Sequence, residues 1–341
     1  RGGMRHVLHT GQTRCWDASG REISCPGSGQ DGEWQRGAPW PAERFVVRGE
    51  VVTDGLTGLH WCRDATVGTF PCTWAEAFAL IDGLNRERHG GRDDWRLPNR
   101  NELRSLMSYQ ARKPALAEGH PFVNVFLGWY WTSTTAAISP AYAWAVHLEG
   151  ARMFYGRKDQ EYLCWPVADA GNGLLPRTGQ EGCIDGAGAP IPCAGTGQDG
   201  DLRLGAPWPE PRFSVTGEVV RDQLTGLAWA RQADLGGAPV SWQEALDLVR
   251  AWNTAHASRE LVWHLPTINE LASLVDCAAH SPALPAGHPF TGLHDGYWSS
   301  TTSFFECDWA WVLYLDKGAC GVGHKPGRTF FAWPVGVPVS G

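Results

Sequence analysis

The chain has 341 residues, of which 43% are hydrophobic and 19% charged, a globular composition that excludes a disordered chain. Its 29 basic and 36 acidic residues give a net charge of −7, which argues against general nucleic-acid binding, where phosphates demand a basic footprint. No apolar run of roughly 18 residues is present, so no membrane-spanning helix is expected.

The chain opens on Arg1-Gly2-Gly3-Met4, which is not a translation start and has no apolar signal core. A leader already removed, or a start inside a longer chain, is the expectation. The sequence then repeats itself at an offset close to 168 residues. Thr10-Gly11-Gln12 recurs as Thr178-Gly179-Gln180, Leu97-Pro98 as Leu265-Pro266, and Tyr130-Trp131 as Tyr297-Trp298. Two tandem domains are predicted, 1–168 and 169–341, with net charges of +1 and −8.

Within each copy, a short cysteine loop and a Trp-Pro segment come first and predict extended coil with hairpins. Cys15 and Cys25, Cys62 and Cys72, and Cys183 and Cys193 are each ten apart, and Cys307 and Cys320 flank a predicted hairpin. Short-loop disulfides at these four pairs fit an oxidising compartment, with Cys164 and Cys277 left over. Thr73 to Glu76 and Ser241 to Glu244 open one helix per copy with a capping box. Asn99 to Glu102 and Thr267 to Glu270 space a cap and an acid to open a second. The pattern then turns to strands: Tyr130–Thr135, Ala143–Leu148 and Tyr162–Val167, and in copy two Tyr297–Thr302, Ala310–Leu315 and Phe330–Val335. Two early helices followed by an antiparallel meander predict an α+β fold in each copy.

Reactive constellations are scarce. The G-x-G-x-x-G runs at Gly27–Gly32 and Gly195–Gly200 lack the flanking strand and helix that a dinucleotide site requires. Asp17, Asp31, Asp185, Asp199 and Asp201 fit solvated turn acids, with calcium as the one possible cofactor. His120 and His288 fit turn-fixing histidines, and Ser133 and Ser300 lack a nearby base. No enzyme is expected. The late loops instead collect aromatic and cationic residues: Trp129, Tyr142, Arg152, Phe154, Tyr155, Arg157 and Lys158 in copy one. In copy two they are Phe304, Phe305, Trp309, Lys317, His324, Lys325 and Arg328. Aromatic faces mixed with cations suit a glycan, especially a sulfated or carboxylated one, or a protein side chain.

Leu56-Thr57-Gly58-Leu59-x-Trp61, Asp94-Trp95-Arg96-Leu97-Pro98-Asn99-x-x-Glu102-Leu103, Tyr130-Trp131-x-Ser133-Thr134-Thr135 and Lys158 carry a resemblance. Over nearly its whole length the chain resembles two copies of the bacterial domain DUF1566, also called the Lcl C-terminal domain. Copy two departs at Val262 to Thr267, where His264 stands in the place of Arg96. The resemblance implies a C-type-lectin-like fold, related to the formylglycine-generating sulfatase-modifying fold. It implies export to the periplasm, medium or cell surface of a bacterium. It also implies a ligand face on the final strands and loops, about 129–158 and 297–328. The namesake adhesin binds sulfated glycosaminoglycans. The Glu-Pro-Asn and Trp-Asn-Asp motifs of calcium-dependent lectins are absent, and Cys164 does not match the paired late cysteines of the sulfatase-modifying enzyme. The expectation is a non-catalytic protein binding a glycan or surface protein; the alternative is a structural or accessory subunit of an extracellular assembly.

Overall fold

The structure is a computed structural model that describes residues 4–68 and 70–339. The opening Arg1-Gly2-Gly3 lies outside the described residues. The chain is mixed helix and sheet, with few helices and many strands. It forms two compact units. One comprises 40–207 with 276–278; the other comprises the segment up to residue 39 with 208–275 and 279–341. Each unit therefore joins one late core to one early cysteine segment, and the segment at the start of the chain belongs with the copy-two core.

In the 40–207 unit, Trp74–Arg86 and Arg100–Ser105 are helices. Thr73 caps the first by accepting from the Glu76 amide. Asn99 and Glu102 cap the second reciprocally, satisfying two orphan amides. Strands Phe45–Arg48, Val51–Asp54, His60–Cys62 and Val167–Ala168 form an antiparallel sheet. Trp129–Thr135, Tyr142–His147 and Met153–Arg157 form the antiparallel meander. Trp61, Trp74, Trp131, Trp144 and Trp165 are fully buried. The predicted 162–167 strand is interrupted: Tyr162 and Leu163 make single bridges, and a regular strand begins only at Val167. Pro166 has no N–H to continue a ladder.

The other unit repeats the plan. Trp242–Ala255 and Ile268–Ala272 are its helices. Thr267 and Glu270 form a reciprocal box, whereas at Ser241, as at Thr73, the hydroxyl accepts the glutamate amide but the full reciprocal box expected there is not formed. Gly296–Thr302, Trp309–Tyr314 and Ala319–His324 form its meander, and Phe330–Ala332 runs parallel to the first of these. Pro334 divides the predicted 330–335 strand, and Val335–Pro338 pairs instead with Ala228–Ala230 and Leu261–His264.

Each early segment is a small clasp. Cys15–Trp16 pairs with Glu22–Ile23 and Cys183–Ile184 with Pro190–Ile191, and disulfides Cys15–Cys25 and Cys183–Cys193 close them. The G-x-G-x-x-G runs follow. Gly27 and Gly29 take positive φ, and their amides donate to the Glu33 carboxylate. A single helical turn, Asp31–Trp34 or Asp199–Leu202, ends each clasp.

The other two expected disulfides are absent. Cys62, Cys72 and Cys320 are buried thiols, as are Cys164 and Cys277, and Cys307 is a half-buried one. Strand register places Leu313, not Cys307, opposite Cys320. Cys62 lies opposite Val51 in one sheet while Cys72 bridges to Tyr162 elsewhere. Spacing along the chain does not by itself bring two Cβ atoms face to face.

Candidate functional site

A half-buried aromatic group with a cation beside it lies on one face of the 129–157 meander. Side chains alternate across a strand, and the register sets Trp129 opposite His147. The Trp129 ring meets the His147 ring edge-on at 4.9 Å and stacks on Tyr162 at 6.1 Å. The exposed Arg152 guanidinium lies 6.0 Å from the Trp129 ring. Tyr162 crosses the sheet over Gly156, where a Cβ would overlap its ring. Burial, then the nearby Arg152, lower the pKa of His147 and favour its neutral form. The result is a half-buried indole with a cation on one side and a phenol beneath it. That geometry suits stacking against a sugar ring while a guanidinium meets an anionic substituent.

Copy two has no such platform. Gly296 occupies the place of Trp129, and the Phe330 ring covers both Gly296 and Gly323.

Tyr142 and Tyr155 point to the opposite face, 5.6 Å apart, with Tyr155 on buried Trp144 at 5.3 Å. Phe154, opposite Ala145 in the ladder, lies 4.9 Å from Tyr155. Arg157 is exposed and pairs with Asp159 at 2.7 Å. In copy two, Trp309 faces His324 at 5.1 Å, and His324 meets Asp308 at 3.2 Å. Phe304 packs on Trp16 at 5.7 Å, while Phe305 is exposed. Lys317 lies 5.6 Å from the Tyr314 ring, and exposed Arg328 pairs with Glu244 at 2.7 Å. These copy-two residues do not form one face.

Lys158 and Lys325, expected among the surface cations, are buried. Lys158 Nζ donates to Thr135 Oγ1 at 3.0 Å and to the carbonyls of Asp185 and Ile184 at 3.1 and 3.5 Å, 4.0 Å from the Trp74 ring. Lys325 Nζ donates to Thr302 Oγ1 at 2.9 Å and to the carbonyls of Asp17 and Trp16 at 3.2 and 3.3 Å. The Trp242 ring lies 3.9 Å from it. Burial pushes both ammonium groups down to about 7. Each lysine fastens a clasp and has no donor left for a ligand.

Two acids read as solvated turn residues are also buried. Asp31 Oδ2 accepts from Thr10 at 2.7 Å and Thr301 at 2.8 Å. Asp199 Oδ2 accepts from Thr178 at 2.6 Å and Thr134 at 2.8 Å. Burial pushes Asp31 up to about 7 and Asp199 up to about 6. Gln12 and Gln180 complete the fastening, each exchanging two hydrogen bonds with the backbone of Thr302 or Thr135. The signal was present in the sequence, since Thr-Gly-Gln and the Thr-Thr strand end recur together in both copies. Asp17, Asp185 and Asp201 accept backbone amides. Among the described residues no group of three or more His, Cys, Asp or Glu side chains could hold a metal ion. His120 and His288 accept from the amides of Phe122 and Phe290 through Nδ1.

Among the described residues no helix is long and apolar enough to cross a membrane. No curated protein matches the chain significantly. The Lcl C-terminal domain matches it at 50–168 and again at 218–336, and both clasps lie outside the matched stretches. With well over half its length matched, the chain belongs to the Lcl C-terminal domain family and carries that domain twice.

Proposed function

We propose that the chain is an exported, non-catalytic binding protein of C-type-lectin-like fold, whose copy-one meander receives an anionic glycan. The observation that carries this reading is the Trp129 ring with Arg152 at 6.0 Å and Tyr162 stacked at 6.1 Å. A half-exposed indole offers a flat apolar surface to the C–H face of a sugar, and the arginine fork suits a sulfate or carboxylate. The two closed disulfides fit an extracytoplasmic location. Ser133 and Ser300 are buried within strands, which supports a role without nucleophilic chemistry.

The test is titration of the chain with a sulfated glycosaminoglycan oligosaccharide while following tryptophan fluorescence. Binding is expected, and Trp129→Ala should weaken it at least about tenfold, the size of one lost aromatic hot spot. Equal affinity in the variant, or no binding to any sulfated or carboxylated glycan, would reject the reading.

A second reading, a subunit of a surface assembly, draws on exposed Val123, Phe126 and Leu127, which lie close together in sequence. Exposed apolar patches of this kind mark protein contacts.

A further inference from the structure

The two clasps fasten to their cores through the same Thr, Gln, Asp and Lys contacts. At several positions clasp and core differ between the two units together.

Charge is the first set. In the 40–207 unit, buried Glu102 is saturated by Arg96, whose two terminal nitrogens reach its two oxygens at 2.6 and 2.5 Å. The clasp residue there is apolar Leu204, which lines one small pocket with Asn99 and Glu102. In the other unit, the equivalent acid Glu270 is buried against His264, at 2.8 Å. Burial favours the neutral form of that histidine. The clasp position equivalent to Leu204 carries Arg36, whose charge acts on both Glu270 and His264. One core thus meets its buried carboxylate with its own arginine; the other meets it with a histidine and carries half-buried Arg36 at the clasp position. A buried carboxylate left with neither would be strongly destabilising.

Size and polarity form the second set. Trp16 packs on Phe304 at 5.7 Å, and the Arg14 guanidinium lies 5.6 Å from the Phe304 ring. At the equivalent positions, the other pairing has the smaller Ile184, Gly182 and Ala137. Arg250 donates to the Gly27 carbonyl at 2.7 Å, whereas its equivalent in copy one is Asp82, an acid that cannot donate when ionised.

We propose that the copy-two core carries a recognition surface, built on His264, Glu270, Phe304 and Arg250, that selects the 4–39 clasp and rejects the 175–207 clasp. The partner this surface fits is a disulfide-closed peptide segment that sets a large aromatic ring on Phe304, offers a carbonyl to Arg250 and carries an arginine at the position of Arg36. The wrong clasp would set Leu204 beside the Glu270–His264 pair, and the reverse exchange would crowd Arg36 against Arg96. This selectivity does not rest on the glycan reading.

The test is a double-mutant cycle in the full chain, read by thermal unfolding and amide hydrogen exchange. Arg36→Leu should lower the unfolding midpoint and speed exchange over 10–34 by about tenfold or more, while 178–204 stays unchanged. Adding His264→Arg, which recreates the Arg96 arrangement, should recover most of the loss. The same His264→Arg change should destabilise the chain that retains Arg36. Identical effects of His264→Arg in the two backgrounds would overturn the proposal. Should Arg36→Leu not fold, Arg250→Asp on the exposed helix face serves instead. Faster exchange confined to 10–34 supports the proposal, and unchanged exchange there overturns it.

Discussion

Asp31 and Thr301 lie 270 residues apart in the sequence and share a hydrogen bond of 2.8 Å. The same carboxylate oxygen accepts from Thr10, so one buried acid ties the start of the clasp, its helical turn and the copy-two meander together. Asp199 repeats the arrangement with Thr178 and Thr134.

This burial predicts a pH dependence. Asp31 is raised from 3.8 to about 7 and Asp199 to about 6, so the folded chain holds more protons than the unfolded chain between these values. Their contribution to stability is full below about 3.8 and is lost as pH rises through about 6 and 7. The unfolding midpoint attributable to them should fall from pH 5 to pH 8. Asp31→Asn should flatten that fall and Asp199→Asn its lower part, as measured by calorimetry across the range. Slopes unchanged from the parent chain would count against these acids being the source.

Lys325 and Lys158 should behave as internal fasteners. Replacing Lys325 with Met keeps the packing on Trp242 but leaves the carbonyls of Trp16 and Asp17 without this donor. Leaving buried acceptors unsatisfied costs about 1–3 kcal/mol, and Lys158→Met should cost a similar amount. Arg157→Ala, which removes an exposed ion pair, should leave the unfolding midpoint unchanged. Denaturant titration of the three variants compares them directly. If the lysine variants matched Arg157→Ala, the fastening role would be refuted.

Gly156→Ala tests how the aromatic face is held. A Cβ there overlaps the Tyr162 ring, so the tyrosine must move and its stack with Trp129 must open. Near-ultraviolet circular dichroism should change, and glycan affinity should drop, while far-ultraviolet spectra stay the same. An unaltered near-ultraviolet spectrum would show that Tyr162 does not rest over Gly156.

The cysteine state is a direct count. Alkylation of the unfolded, unreduced chain should label six thiols and leave Cys15–Cys25 and Cys183–Cys193 as the two bridged pairs. Peptide mass analysis reads the pairing. Two labelled thiols would restore the four-loop pattern expected from spacing alone.

Local chemistry was legible in the sequence. Thr73 with Glu76, Asn99 with Glu102 and Thr267 with Glu270 announced their helix starts, because a cap and its acid lie within one turn. The aromatic and β-branched runs marked the meanders, because a pleated surface favours such side chains. The repeat and its family followed from the ordered motifs. The recurrence of Thr-Gly-Gln with the Thr-Thr strand end marked a shared feature, but which polar side chains it takes out of water was not legible. Lys158 lies next to exposed Arg157 in sequence yet is buried, and Asp31 is no different in sequence from a solvated turn acid.

The sequence by itself determined the duplicated domain, its helix caps and its strand-rich second half, since each depends on neighbours a few residues away. Only the tertiary structure decided which thiols pair, which charges leave water, and that the clasp at the start of the chain belongs with the copy-two core. Those outcomes are set by contacts between residues far apart in the chain, where no local periodicity records the partner and the cost of burial is met only once both sides are in place.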